Sequence, residues 1–365
     1  MTQERVSNGI VNVVGLDKTA ASFGGNILTS CKAVKLREKE YYNIGDISQL
    51  KVRDGLIFVL SKINMSTKLL VFSKDGYFLR QIGRMGGASN EYTYLDAFCL
   101  DDNGHVYLFD GVKEKILIYD YSGKYLDRKT YFRKHSSPES VECIGEDSLM
   151  YYYRVNVNGP LCEFGRQGDV NTSVVSERCV KSVSSSPLIR IPQPVSNYRG
   201  NIRYVLPFDN TIYSLSGECD FIIDTKLPIL TDDMLQEMEY DKLVEKYRGK
   251  YFMGLSDLCE TDKYLICRSL ENGCLLFIDK QSHSVVKLAQ WGMSDDTMDF
   301  VNNILPIYSV VTSDDDNNLV GIITPRNLME AKNNGCVKFL SSVCGTDYQD
   351  DDLNNYYMVF YPLKK

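Results

Sequence analysis

The stretch ISQLKVRDGLIFVLSKINMSTKLLVFSKDGYFLRQIG, residues 47–83, decides the fold. It reads as four short strands. An alternating segment runs into Arg53-Asp54-Gly55, a turn signal, and the apolar run IFVL follows. A polar loop leads to LLVF, and Ser73-Lys74-Asp75-Gly76 turns the chain into a last strand. Glycine at such a hairpin supplies the positive φ that the turn requires. Residues 94–131, YLDAFCLDDNGHVYLFDGVKEKILIYDYSGKYLDRKTY, repeat the scheme, with VYLF, ILIY and a Ser122-Gly123 turn. Four antiparallel strands in about 40 residues is the size of one β-propeller blade.

The pattern continues outward from these two repeats. Residues 140–175 read as a third blade, 203–224 as at least three strands of a fourth, 255–288 as a fifth, and 307–323 as half of a sixth. The early segment AVKL (33–36) and the tail YYMVFYPL (356–363) are isolated strands that can complete the last blade together. Thr231–Lys250 carries a Thr-Asp cap signal and good helix formers. Residues 325–342 open on Pro, have near-helical apolar spacing and contain Gly335, which can divide them into two pieces. Residues 181–201, rich in Ser and Pro, read as a long loop. The expectation is an all-β chain: an extension over 1–30, then a single six-bladed β-propeller over 31–365. Its blades are four-stranded and antiparallel, closed by N- and C-terminal strands, with one or two helical insertions.

Composition narrows the function classes. Forty-one basic residues against 48 acidic give a net charge of −7, which argues against a broad nucleic-acid surface. No run reaches the roughly 18 apolar residues of a membrane helix. The first 25 residues lack the basic and apolar regions of a signal peptide. The 11 cysteines form no CxxC pair and the three histidines are scattered, so zinc sites of ordinary spacing are absent. Cysteines in apolar strands, such as Cys99 and Cys267, read as small buried hydrophobes, a usage suited to a reducing compartment. Whether Cys143, Cys162 and Cys179 approach one another is left open.

The run IGRMGGASNEY (82–92) resembles the linker between the first two blades of NHL-like six-bladed propellers from Bacteroides-type bacteria. VYLFDGVKEKILIYDYSGKYL (106–126) resembles the core of that repeat. Ala88-Ser89-Asn90 departs from the Gly-Pro tripeptide of the linker pattern. The resemblance implies the propeller fold. It also implies export, often as a lipoprotein, in a family mostly without an assigned activity. The expected location is therefore periplasmic or outer-membrane-associated, with a leader outside this chain; the alternative is cytoplasmic.

Ligands of propellers usually meet the face built from loops entering the first strand and loops joining the second and third. Here those loops are 84–92, 110–115, 154–160 and 268–273, with the segments around 199–203 and 325–355 expected to join them. Arg84, Arg154, Arg203 and Arg268 lie at or near corresponding blade positions and are candidates to grip a carboxylate or sulfate bidentately; pairing with nearby acids is the alternative. Asp110 matches the Asp of the repeat and is a candidate at the channel mouth, or a turn residue accepting backbone N–H bonds. Glu91 and Tyr92 are candidates for the same face, or for ordering the linker.

The run Asp314-Asp315-Asp316-Asn317-Asn318 lacks the Gly and distal Glu of a calcium loop and reads as a hairpin turn. His105, His135 and His283 sit in no nucleophile, HExxH or P-loop motif. The leading expectation is a monomeric, non-enzymatic propeller binding a glycan, peptide or protein, with no catalytic residue, no nucleic acid and no cofactor. A divalent metal such as calcium is conceivable but has no motif. The alternative is a metal-dependent, lactonase-like hydrolase or lyase, which requires Asp96, Glu142 and Asp257 to converge. A third reading is a structural subunit of a surface complex.

Overall fold

Successive apolar residues in a strand have side chains on both faces of the sheet, so a run such as IFVL demands cover on both sides. In the computed structural model Ile57, Phe58, Val59 and Leu60 are all fully buried, as are Leu69, Leu70, Val71 and Phe72 of the neighbouring strand. The structure describes residues 9–12, 31–39, 42–130, 140–144, 149–154, 160–167, 172–179, 193–237, 240–271, 273–288 and 310–363. Chain contacts divide it into two compact units.

Met1–Ala21 and Gly86–Leu288 form one unit. It contains β1 (Gly9–Asn12), with β2–β6 belonging to the other unit. Its first blade is β7 (Leu95–Leu100), β8 (His105–Asp110), β9 (Lys115–Asp120) and β10 (Tyr125–Thr130). The second is β11 (Ser140–Cys143), β12 (Leu149–Arg154), β13 (Pro160–Gln167) and β14 (Thr172–Cys179). Next come β15 (Val195–Tyr198), β16 (Asn201–Val205), β17 (Thr211–Ser214) and β18 (Cys219–Asp224). After helices α1 (Asp232–Glu237) and α2 (Tyr240–Tyr247), a further blade follows: β19 (Leu255–Glu260), β20 (Tyr264–Ser269), β21 (Leu275–Asp279) and β22 (Val285–Leu288). The first strands β7, β11, β15 and β19 lie side by side in that order. Apolar clusters fill the spaces between sheets: Ala97, Cys99, Phe109 and Ile116 pack with Val141 and Cys143, and Val205, Ile212 and Phe221 pack with Leu265 and Leu276.

The other unit is Ser22–Met85 with Ala289–Lys365. One blade is β3 (Asp46–Arg53), β4 (Leu56–Ile63), β5 (Ser66–Ser73) and β6 (Phe78–Ile82). The other joins β2 (Lys32–Lys35) to β25 (Tyr357–Pro362), then β24 (Asn318–Ile323) and β23 (Val310–Ser313). The early strand and the tail thus share one sheet, as their isolated apolar patterns suggest. Gly76, with φ 80°, makes the hairpin turn between β5 and β6. Helices α3 (Pro325–Asn333) and α4 (Val337–Cys344) lie on either side of Gly335, the two pieces into which the sequence allowed this segment to divide, and Thr324 and Asn327 close a capping box at the start of α3.

The six-bladed expectation is corrected by the sheet topology. Among the described residues, five sheets are four-stranded antiparallel blades. The remaining sheet is five-stranded and mixed, because β1 pairs in parallel with β18, Gly9 opposite Phe221. An outer strand presents an unpaired row of N–H and C=O groups, and β1 covers it. The long-loop reading of 181–201 is also corrected in part: Val195–Tyr198 is the first strand of the mixed sheet, too short to show a period. Residues 181–192 lie outside the described part.

Candidate binding site

Each blade has two ends, one carrying the turn between its first and second strands, the other the loop between its second and third. Arg203 lies on β16 opposite Ser196 and Ser214. Its guanidinium donates to Asp220 of β18 and to Glu260, the last residue of β19. Lys280 Nζ stands 3.8 Å from the same Glu260 oxygen. This places the cluster at the end of the first-to-second turns. Burial pushes the Glu260 carboxyl above its ordinary range, against the opposing pull of Arg203 and Lys280. Glu260 Oε1 is buried and has no hydrogen-bond partner. Residues 199–200 are the turn from β15 to β16, so the segment 199–203 does not join the expected loop face. Arg199 there pairs with the exposed Asp262.

Arg268 occupies the other end. It stands near the end of β20, opposite Ser256 of β19 and Leu275 of β21. Its Nε donates to Asp257 Oδ2 at 2.7 Å and its Nη1 to the Gly273 carbonyl at 3.0 Å. Nη2 is buried without a partner. Asp257 sits where the β19–β20 register shifts, with φ 49°, and Ser256 Oγ donates to its Oδ2 at 3.3 Å. Burial raises the Asp257 carboxyl, and Arg268 lowers it by less. Arg203 and Arg268 are therefore not brought together: Asp257 and Glu260, their partners on β19, are three residues apart, roughly 10 Å along a strand.

The other expected residues fall as follows. Asp110 is fully buried at the end of β8 and accepts from Thr93 N at 2.7 Å and from the N–H groups of Val112 and Lys113. Glu91 is buried and its carboxylate accepts from Ala88 N at 2.8 Å. Tyr92 is fully buried. Lys115 donates to the Glu91 carbonyl and Lys113 to the Gly86 carbonyl, so the linker resembling the family pattern is clasped to its blade. Arg154 ends β12 in register with Cys162. Arg84 is exposed and belongs to the unit of β2–β6.

Sequence reasoning missed Glu260, Asp220 and Lys280; Asp220 and Glu260 lie 17 and 57 positions from Arg203, and nothing local marks them as its partners. Asp96 accepts from Gly111 N and Asp257 pairs with Arg268. Among the described residues, no three His, Cys, Asp or Glu side chains gather as a metal-holding group. The Asp314 run is a turn in which Asp314 accepts from the N–H groups of Asp316 and Asn318 and pairs with Lys74. His105 pairs with Asp101 at 2.9 Å; His135 lies outside the described residues. No helix among the described residues is long and apolar enough to cross a membrane.

Comparison with known proteins adds a family and a fold. The family described as "Domain of unknown function (DUF4934)" matches residues 25–351. A presumed exported protein from Bacteroides fragilis superposes with a TM-score of 0.71 at 18% identity, over 98% of this chain and 100% of that one. A member of the DUF4221 family from Bacteroides vulgatus superposes at 0.51 with 8% identity, over 92% of this chain and 97% of that one. At these identities the likeness concerns the fold. No curated protein matches the sequence. The Bacteroides-type propeller resemblance holds at this coarser level, and the NHL-like identity is not part of what these matches show.

Proposed function

We propose that this chain, which belongs to the family described as "Domain of unknown function (DUF4934)", is a non-enzymatic binding protein that takes a carboxylate- or sulfate-bearing ligand at Arg268. The observation that carries the reading is the incomplete bonding of that guanidinium. Two of its nitrogens are used, and the third is buried with no acceptor. A buried donor left unpaired costs roughly 1–3 kcal/mol, more for a charged group, and a ligand oxygen accepting from Nη2 removes that cost. The side chain keeps 10% of its surface exposed. Asp257 and the Gly273 carbonyl fix the plane of the fork, so the remaining donor is oriented before a ligand arrives. The loop between β20 and β21 on which it borders is the kind of segment that carries function on a rigid scaffold. Likeness to an exported protein supports an exported location.

The test is a panel of uronate-containing and sulfated oligosaccharides and of Asp/Glu peptides, with neutral glycans beside them. Binding of an acidic probe that falls at least tenfold in Arg268→Gln, with Arg268→Lys intermediate, supports the reading. Binding of neutral probes alone, or acidic binding indifferent to both substitutions in folded protein, defeats it.

A further inference from the structure

Two cysteines that the ligand site does not use meet across neighbouring blades. Cys99 lies on β7 and Cys143 ends β11, and these first strands belong to different sheets that run side by side. Both residues are buried, at 0% and 6% exposure, within one apolar cluster that also holds Ala97, Phe109 and Val141. Their Sγ atoms are 2.8 Å apart. That is closer than two unbonded sulfurs pack, and within about 1 Å of a covalent S–S bond of roughly 2.05 Å. Cys259 and Cys267, by contrast, lie on strands already laddered by backbone hydrogen bonds, so a bridge there would add little constraint. A bond between Cys99 and Cys143 closes a separation of 44 residues and ties together two sheets that share no ladder.

We propose that Cys99 and Cys143 form a disulfide when the chain folds in an oxidising compartment. One thiolate attacks the S–S bond of an oxidant, a thiol–disulfide oxidoreductase or a small disulfide such as oxidised glutathione, and expels one thiol. The second thiolate then attacks the mixed disulfide and expels the other. Two S–H bonds are lost and one S–S bond is formed. The two electrons reduce the oxidant to two thiols, which take up the two protons. Because both sulfurs are buried in the folded chain, exchange occurs before the core closes. The sequence-level preference for a reducing compartment is reversed for this pair: bridged in an oxidising space, it becomes a staple. The inference is independent of the ligand assigned to Arg268.

The full chain is unfolded and refolded in glutathione redox buffer, and in parallel in dithiothreitol. Free thiols are alkylated under denaturing conditions and the chain is digested and mapped by mass spectrometry. The expected result is a peptide containing Cys99 linked to one containing Cys143 in the oxidised sample only. The oxidised protein should also melt roughly 3–5 °C above the reduced one, a difference that vanishes in the Cys99→Ala/Cys143→Ala double variant. Alkylation of both residues in folded, oxidised protein, or a link from either to another cysteine, overturns the proposal. If the double variant does not fold, the peptide map of the unaltered chain decides alone.

Discussion

Arg268 and Asp257 form an ion pair across adjacent strands of one sheet, Nε to Oδ2 at 2.7 Å, with each side chain 10% exposed. Removing one partner of so buried a pair leaves the other charge uncompensated, at a cost of about 3–5 kcal/mol. Asp257→Ala and Arg268→Ala should each lower the urea midpoint accordingly. The double variant should lose less than the sum, by about 1–3 kcal/mol of coupling. Additive losses would show that the two side chains do not support each other.

Arg203 supplies a second case with a built-in control. Arg203→Ala takes the guanidinium away from Asp220 and Glu260, both buried, and should cost about 3–5 kcal/mol in chemical denaturation. Arg203→Lys should restore only part, since an ammonium cannot reproduce the planar fork. Arg199 pairs with Asp262 in the open, at 60% and 52% side-chain exposure. Arg199→Ala should therefore cost under about 1 kcal/mol. Comparable losses at the two arginines would refute the contrast.

The carboxylates make opposite pH predictions. Burial raises Glu260 in the folded chain, so between its ordinary and its raised value the folded state holds more protons than the unfolded one. Stability then falls as pH rises through that window. Asp352 is lowered, first by its hydrogen bond from Lys35 and then by one from Gln349 N. Its contribution is present above the ordinary value and lost as pH falls through the lowered one. Melting temperature measured across the acid-to-neutral range should lose its decline with rising pH in Glu260→Gln, and lose part of its acid limb in Asp352→Asn. The same profile in all three proteins would contradict both assignments.

Gly76 and Gly55 separate backbone strain from collision. Both have positive φ, 80° and 70°. A Cβ on Gly76 would lie 2.1 Å from the Lys35 carbonyl oxygen of β2, whereas one on Gly55 would meet nothing within 4 Å. Gly55→Ala should cost about 1 kcal/mol, the left-handed penalty alone. Gly76→Ala should cost roughly 2–3 kcal/mol, since β2 must also move. Thermal unfolding that finds the two equal would remove β2 from the explanation.

Much of the architecture was legible because it is encoded locally. The alternation and turn residues of 47–83 and 94–131 determine four strands apiece. The Thr231 cap signal announces the helical segment, and the unmatched apolar patterns of AVKL and YYMVFYPL mark strands that need each other. Asp110 and Glu91, by contrast, look alike as linker acids whether they face a ligand or the backbone. Only the bonds from Thr93, Val112, Lys113 and Ala88 show where their carboxylates are engaged.

By itself, then, the sequence determined the all-β class, the four-stranded repeat and the sharing of one sheet by the early segment 33–36 and the tail 356–363. Hydrophobic period and turn chemistry act over ten to forty residues and need no distant partner. Tertiary structure alone decided that β1 adds in parallel to β18, so that among the described residues five sheets are four-stranded antiparallel blades and one is mixed. It also decided that Arg203 and Arg268 sit at opposite ends of their blades, and that Cys99 meets Cys143. These pairings depend on which strands are brought side by side and which end of a sheet a residue occupies. No local pattern carries the pairing of β1 with β18, Arg203 with Glu260 or Cys99 with Cys143, because those partners lie 44 residues or more apart along the chain.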